Sequence, residues 1–168
     1  MEETKKDKVV RELKNLNIKF NIIEHEPIFS REDEEKLGIV FESICFKNLF
    51  LRNKKKEKFY LYCLPATKRG NIKAVEKEID EKKLCFGKEE ELLEKLSITS
   101  GSVSVLNIIE KENTDVIFLL DDEIKDAELV GFHPNDNRYT VELNYKDIEK
   151  ILNRFNVEYR YINIKNEI

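Results

Sequence analysis

A lysine stands in the middle of the most apolar stretch of this sequence. Lys47 is flanked by Ile44, Cys45, Phe46, Leu49 and Phe50. An ammonium taken out of water is costly unless it is paired or opens onto a polar cleft. On a strand, alternation places Cys45, Lys47 and Leu49 on one face and Phe46, Asn48 and Phe50 on the other. Residue chemistry leaves two readings open: a lysine paired to a carboxylate or set at a frayed strand end, or a cation held for function. A second candidate is the small-residue run Gly101-Ser102-Val103-Ser104-Val105. Its backbone N–H groups can turn toward a ligand, and such donors stabilise an oxyanion during acyl transfer. A generic turn has the same composition. The two histidines are His25, before Glu26-Pro27, and His133, before Pro134. Both fit hydrogen-bonded turn residues, and His25 is read as structural. Basic runs at Lys54, Lys55 and Lys56, and at Lys68, Arg69 and Lys73, are phosphate contacts or a solvated surface.

Several chemistries lack their signatures. The chain has no G-x-S-x-G elbow, no P-loop and no H-E-x-x-H. Two histidines give little support to a Ser-His-Asp triad or a multi-histidine metal site. Cys45, Cys63 and Cys85 are widely spaced in apolar runs without a C-x-x-C, which points to buried thiols rather than a disulfide framework or zinc. No metal and no cofactor are expected.

These residues need a scaffold. A length of 168 residues suits one domain, taken as 1–168, that buries its own core. Apolar residues make up 40% and charged residues 38%, evenly mixed, as in a soluble globular protein. The net charge of −4 means that any RNA contact must come from a local patch. No apolar run approaches the ~18 residues of a membrane span, and the N-terminus lacks a signal-peptide pattern. The cytoplasm is the expected location.

Periodicity predicts helices over 4–16, 72–79, 88–96 and 145–155, and a short helix over 31–37 with Ser30 as N-cap and Gly38 as stop. Strands are predicted over 18–24, 43–51, 58–64, 83–86, 115–120, 128–132, 139–143 and 157–162. The near-continuous apolar runs at 43–51 and 58–64 suggest strands covered on both faces. RNKKKE makes a charged hairpin between them. Interleaved helices and strands argue for one mixed α/β domain.

Four segments, in order, resemble a known family: KNLFLRN (47–53), FYLYCLPATKRGNIKAVEKEI (59–79), KKLCFGKEEELLEKLSITSGSVS (82–104) and GFHPNDN (131–137). They are similar to the YbaK/ProX family of aminoacyl-tRNA deacylases. The likeness is greatest to its ProX-like branch, which resembles the insertion domain of bacterial prolyl-tRNA synthetase. It spans roughly residues 15–160. The resemblance implies a central, partly closed mixed sheet flanked by helices. It also implies metal-free hydrolysis of the ester joining a wrong amino acid to tRNA. The implied substrate is alanyl-tRNA for proline, with cysteine removed by close relatives. The chain would act in trans, with aminoacyl-tRNA and prolyl-tRNA synthetase as partners and with neither DNA nor membrane.

The family's lysine, which holds the tRNA 3′ end or the ester, matches Lys47, and the asparagine after it matches Asn48. Gly101 opens the family's G-x-x-x-P loop, so Ser102, Val103, Ser104 and Val105 would line the aminoacyl pocket. His133 matches the histidine of G-F-H-P. The implied catalytic set is Lys47, Gly101 and His133, with water attacking and a ribose hydroxyl assisting. Lys47 then acts by position and charge, not as a nucleophile. Two departures bear on substrate and turnover. Val105 replaces the family's proline, and Arg138-Tyr139 stands where small residues are commoner. They motivate a second reading, a non-catalytic aminoacyl-tRNA binder or sensor. A hydrolase for another aminoacyl ester, such as seryl-tRNA, is a third.

Overall fold

The computed structural model describes residues 3–27, 32, 36, 38 and 43–165. Within them lie helices α1 (Lys5–Asn15), α2 (Ile72–Ile79), α3 (Glu89–Leu96) and α4 (Tyr145–Arg154). The strands are β1 (Phe20–Glu24), β2 (Ile44–Arg52), β3 (Phe59–Pro65), β4 (Cys85–Phe86), β5 (Ile117–Asp121), β6 (Leu129–Phe132), β7 (Tyr139–Asn144) and β8 (Tyr159–Ile162). Each falls within two residues of a segment predicted from periodicity. Of the predicted helix over 31–37, Glu32 and Lys36 are helical, and the rest, with its cap Ser30, lies outside the described residues. Gly38, its expected stop, has φ 65°.

The strands form one mixed sheet in the order β1-β7-β6-β2-β3-β5-β8, with β4 also paired to β2. The pairs β2–β6, β3–β5 and β5–β8 are parallel and the others antiparallel. The charged connection between β2 and β3 is closed by Asn53, not by its lysines. The Asn53 Oδ1 accepts from the N–H groups of Glu57 at 2.8 Å and Lys58 at 3.2 Å.

Two apolar cores lie against the sheet. The larger takes Phe46 and Phe50 from β2, Leu61 and Cys63 from β3, Val130 and Phe132 from β6, and Val141 and Leu143 from β7. Val9 and Leu13 of α1 and Ile148, Ile151 and Leu152 of α4 complete it. The smaller joins Leu51, Tyr60, Tyr62, Leu64 and Leu119 to Val75 of α2. Successive β3 residues therefore enter opposite cores, which accounts for the unbroken apolar run. The expectation of burial on both faces fails at the middle of β2. Residues 47–49 are only half-buried, whereas 50–52 are buried. The strand opens to solvent at Lys47.

Candidate active site

Lys47 sits opposite Leu64 in the β2–β3 ladder. On the other edge of β2, β6 pairs only at Ile44 and Cys45, and β4 only at Leu51 and Arg52. Among the described residues, 46–50 thus have a strand neighbour on the β3 side alone. Lys47 lies in this gap, on the face away from the larger core. Burial alone holds its pKa below the ordinary lysine value, and no carboxylate pairs with it among the described residues. Asn48 points the opposite way, toward the face of Phe46 and Phe50, and its buried Oδ1 has no hydrogen-bond partner among the described residues. Lys47 and Asn48 are adjacent in sequence but do not serve one face.

Val130 and Phe132 enter the larger core, so Gly131 alternates to the face of Lys47, and His133 follows one residue beyond the end of β6. Thr140 and Glu142 of β7 alternate to that face too, opposite Val141 and Leu143. A Cβ at Gly131 would lie 2.7 Å from Ser43 Oγ, so only glycine lets β2 approach here without a shift. The Ser43 N–H donates to Glu142 Oε2 at 2.7 Å. His133 Nδ1 lies 2.8 Å from the carbonyl of Tyr139. A carbonyl can only accept, so Nδ1 carries the proton and neutral His133 presents Nε2 as an acceptor. Burial lowers the His133 pKa and outweighs the opposing Tyr139 bond. His25 stands beside it, with ring centroids 6.2 Å apart and His25 Nε2 2.8 Å from Thr140 Oγ1.

Gly101 opens its loop with φ 94°. Ser104 caps the 3₁₀ turn Val105–Ile109, and its Oγ accepts from the Leu106 N–H at 3.1 Å. The Ser104 N–H is spent on Asn107 Oδ1 at 2.8 Å, and the Ser102 N–H on the Thr99 carbonyl at 3.4 Å. The N–H groups of Val103 and Val105 have no acceptor among the described residues. The Val105 side chain is 1% exposed and belongs to the larger core. Its exchange for the family proline therefore acts on the backbone, not on a pocket wall. Arg138 reaches Asp136 at 2.7 Å and 3.0 Å on the surface, so it adds no unpaired charge.

The basic residues separate into three environments. Lys54, Lys55 and Lys56 are exposed on the hairpin. Arg69 and Lys73 line an open groove of about 580 Å³ together with Lys165, Thr67 and Asn71 at the start of α2. Gly70 lies in its floor, where a Cβ would come within 2.7 Å of Leu49, two residues from Lys47 on the same face. Lys68 differs from its neighbours. It is 5% exposed and bonds Asp121 at 3.0 Å and Glu123 at 2.8 Å, while Tyr62 donates to the same Asp121 oxygen at 2.7 Å. Burial pulls the Lys68 pKa down, but the bonds to Glu123 and Asp121 outweigh it and hold it above the ordinary value. Lys68 is thus an internal brace and is not offered to phosphates.

The model of the aminoacyl-tRNA editing domain matches residues 25–151, which include the Lys47 strand, the 101–105 loop and His133. The chain belongs to the aminoacyl-tRNA editing domain family. It is 34% identical over 152 residues to the prolyl-tRNA editing protein ProX of Acetoanaerobium sticklandii, covering 90% of this chain and 93% of that one. It is 29% identical over 136 residues to the mouse prolyl-tRNA synthetase associated domain-containing protein 1, covering 79% and 80% of the two chains. A crystal structure described as a candidate trans-editing enzyme for prolyl-tRNA synthetase superposes with a TM-score of 0.69 at 15% identity. That superposition covers 98% of this chain and all of the other, and it shows a shared fold.

The described residues of this editing domain include a half-buried lysine without a carboxylate partner, a neutral imidazole and loop N–H groups without an acceptor. Such a set can orient an ester and a water molecule and stabilise an oxyanion. No local motif marks His25, Thr140, Glu142, Asn107 or Asn135 as one group in the sequence. The alternation in Tyr139-Thr140-Val141-Glu142-Leu143 was the available signal for two of them, since it puts two polar residues on one face of a buried strand.

Proposed function

We propose that this editing domain hydrolyses the ester of mischarged tRNA for proline in trans, with alanyl-tRNA as its principal substrate. The reading rests on one observation above all. A half-buried lysine without a carboxylate partner among the described residues stands in an opening of the sheet, and burial keeps His133, just beyond β6, neutral. The identity to the ProX protein supports the choice of tRNA. Lys47 attracts and positions the 3′ end or the ester carbonyl. The N–H of Val103 meets the oxyanion formed when water attacks. The Nε2 of His133 accepts a hydrogen bond from that water or from the ribose hydroxyl. The carbon–oxygen ester bond then breaks, and the ribose oxygen leaves with a proton. An ester is activated enough for positioning and oxyanion donors to suffice, without a protein nucleophile. Arg69, Lys73 and Lys165 in the groove, and Lys54, Lys55 and Lys56 on the hairpin, contact tRNA phosphates.

Cysteinyl-tRNA is the alternative substrate, because one methylene or sulfur in an apolar pocket discriminates by only about 1–3 kcal/mol. The non-catalytic reading loses its motive with Val105 in the core and Arg138 paired on the surface. The test is a deacylation panel over alanyl-, cysteinyl- and seryl-tRNA. Alanyl-tRNA for proline should be hydrolysed fastest, and Lys47→Ala should lower the rate by about 10²-fold. Tight aminoacyl-tRNA binding with no ester loss would establish the sensor instead.

A further inference from the structure

Two buried amides bridge the two loops of the site. Asn107 is fully buried and Asn135 is 6% exposed. Asn107 Oδ1 accepts from the Ser104 N–H at 2.8 Å, and its Nδ2 donates to the Ser102 carbonyl at 3.1 Å. Asn107 therefore clamps both neighbours of Val103, whose N–H has no acceptor among the described residues. The same Nδ2 donates to Asn135 Oδ1 across the gap between loops. Asn135 Nδ2 returns a bond to the Leu106 carbonyl at 3.4 Å. Asn135 lies two residues beyond His133 and has φ 62°, a left-handed conformation that asparagine tolerates. Apolar side chains would fill this volume as well. Two amides specify a relation between two segments, because a buried amide with one bond removed is left with an unmet group.

We infer that Asn107 and Asn135 are positioning residues, a latch that holds the 101–105 loop and His133 in one mutual geometry. The inference rests on the proposed hydrolysis for its kinetic consequence alone. A latch of this kind should act on the chemical step and leave tRNA affinity unchanged, since the basic groove and hairpin are elsewhere on the molecule.

The decisive variants are Asn135→Gly and Asn135→Asp. Glycine keeps the left-handed backbone and severs the link. Aspartate also tolerates that backbone and still accepts from Asn107, forfeiting only the longer bond to the Leu106 carbonyl. Asn135→Gly should lower kcat for alanyl-tRNA by about tenfold with KM within twofold, and Asn135→Asp should restore most of the loss. Asn107→Ala is a second disrupting variant and should match glycine. Amide hydrogen exchange across 102–106 should quicken in both disrupted variants and stay near wild type in Asn135→Asp. An unchanged kcat in Asn135→Gly, a loss confined to KM, or an aspartate as impaired as glycine overturns the latch. Should the wild type hydrolyse no aminoacyl ester, the proposed function fails and exchange alone decides. Equal protection of 102–106 in wild type and Asn135→Gly then overturns the latch as well.

Discussion

At the scale of single residues, the histidine is the part of the site with a definite proton. The Tyr139 carbonyl fixes its tautomer, and burial lowers its pKa below the ordinary 6.5. The neutral form therefore prevails through neutral pH. Activity should fall only as pH drops below 6.5 toward the lowered value, so the acidic limb of kcat/KM lies on the acid side of an ordinary histidine. Stability has the same sense. Between the lowered folded pKa and the unfolded value the unfolded chain binds more protons, so His133 costs stability as pH falls through that window. His133→Asn keeps a donor for the Tyr139 carbonyl and removes the titration. It should lower the rate by about 10²-fold and abolish the acidic limb. A limb that survives in this variant would assign the titration to another group.

At the scale of elements, Val105 shows how a departure from a family pattern can be absorbed. It occupies the first position of a 3₁₀ turn, where the turn makes no use of the N–H and proline is readily accommodated. Ser104 before it is extended, at φ −161° and ψ 156°, as a residue preceding proline must be. Val105→Pro should then fold. Its gain of about 0.4–1 kcal/mol from the unfolded chain is offset by roughly 1 kcal/mol for a lost core methyl. Urea denaturation should place the variant within about 1 kcal/mol of wild type. Hydrolysis should stay near wild type, with Val103 as the donor, since the family's proline has no N–H to give at this position. A slowing of about 10²-fold would make the Val105 N–H a donor peculiar to this chain.

This scale also shows where sequence reading succeeds. Period-two and helical patterns are local, so Ile44–Arg52, Phe59–Pro65 and the four helices were legible. The anomaly of Lys47 was visible because an apolar strand makes any charge conspicuous. Lys68 and Arg69 are adjacent basic residues with no local difference, yet one is buried against Asp121 and the other lines a groove. Asn107 and Asn135 are ordinary turn residues until folding brings them together across 28 positions. Their roles depend on contacts distant in sequence, and no periodicity encodes those.

At the scale of the whole molecule, a net charge of −4 makes the placement of cations decisive for an RNA ligand. Two basic surfaces lie at different distances from Lys47. Along β2, Lys47 to Arg52 spans about 17 Å, so the hairpin lysines lie some ~20 Å away. In the opposite direction, Thr67 follows Leu64, the partner of Lys47, by only about 10 Å of chain. The groove of Arg69, Lys73 and Lys165 is thus the basic surface nearer Lys47. It should meet phosphates of the single-stranded end, and the hairpin should meet the stem beyond. Each single-strand phosphate neutralised contributes about 0.7 to the slope of log affinity against log salt. The triple variant Arg69→Ala, Lys73→Ala, Lys165→Ala should reduce that slope by about 2 and lower kcat/KM at low salt. Replacing Lys54, Lys55 and Lys56 by alanine should change the slope by less than about 1, since exposed hairpin cations reach a rim of the complex where screening is strong. Titration of binding against salt for the two triples decides between the surfaces. A larger slope change from the hairpin would place the acceptor end along β2 instead of across the start of α2.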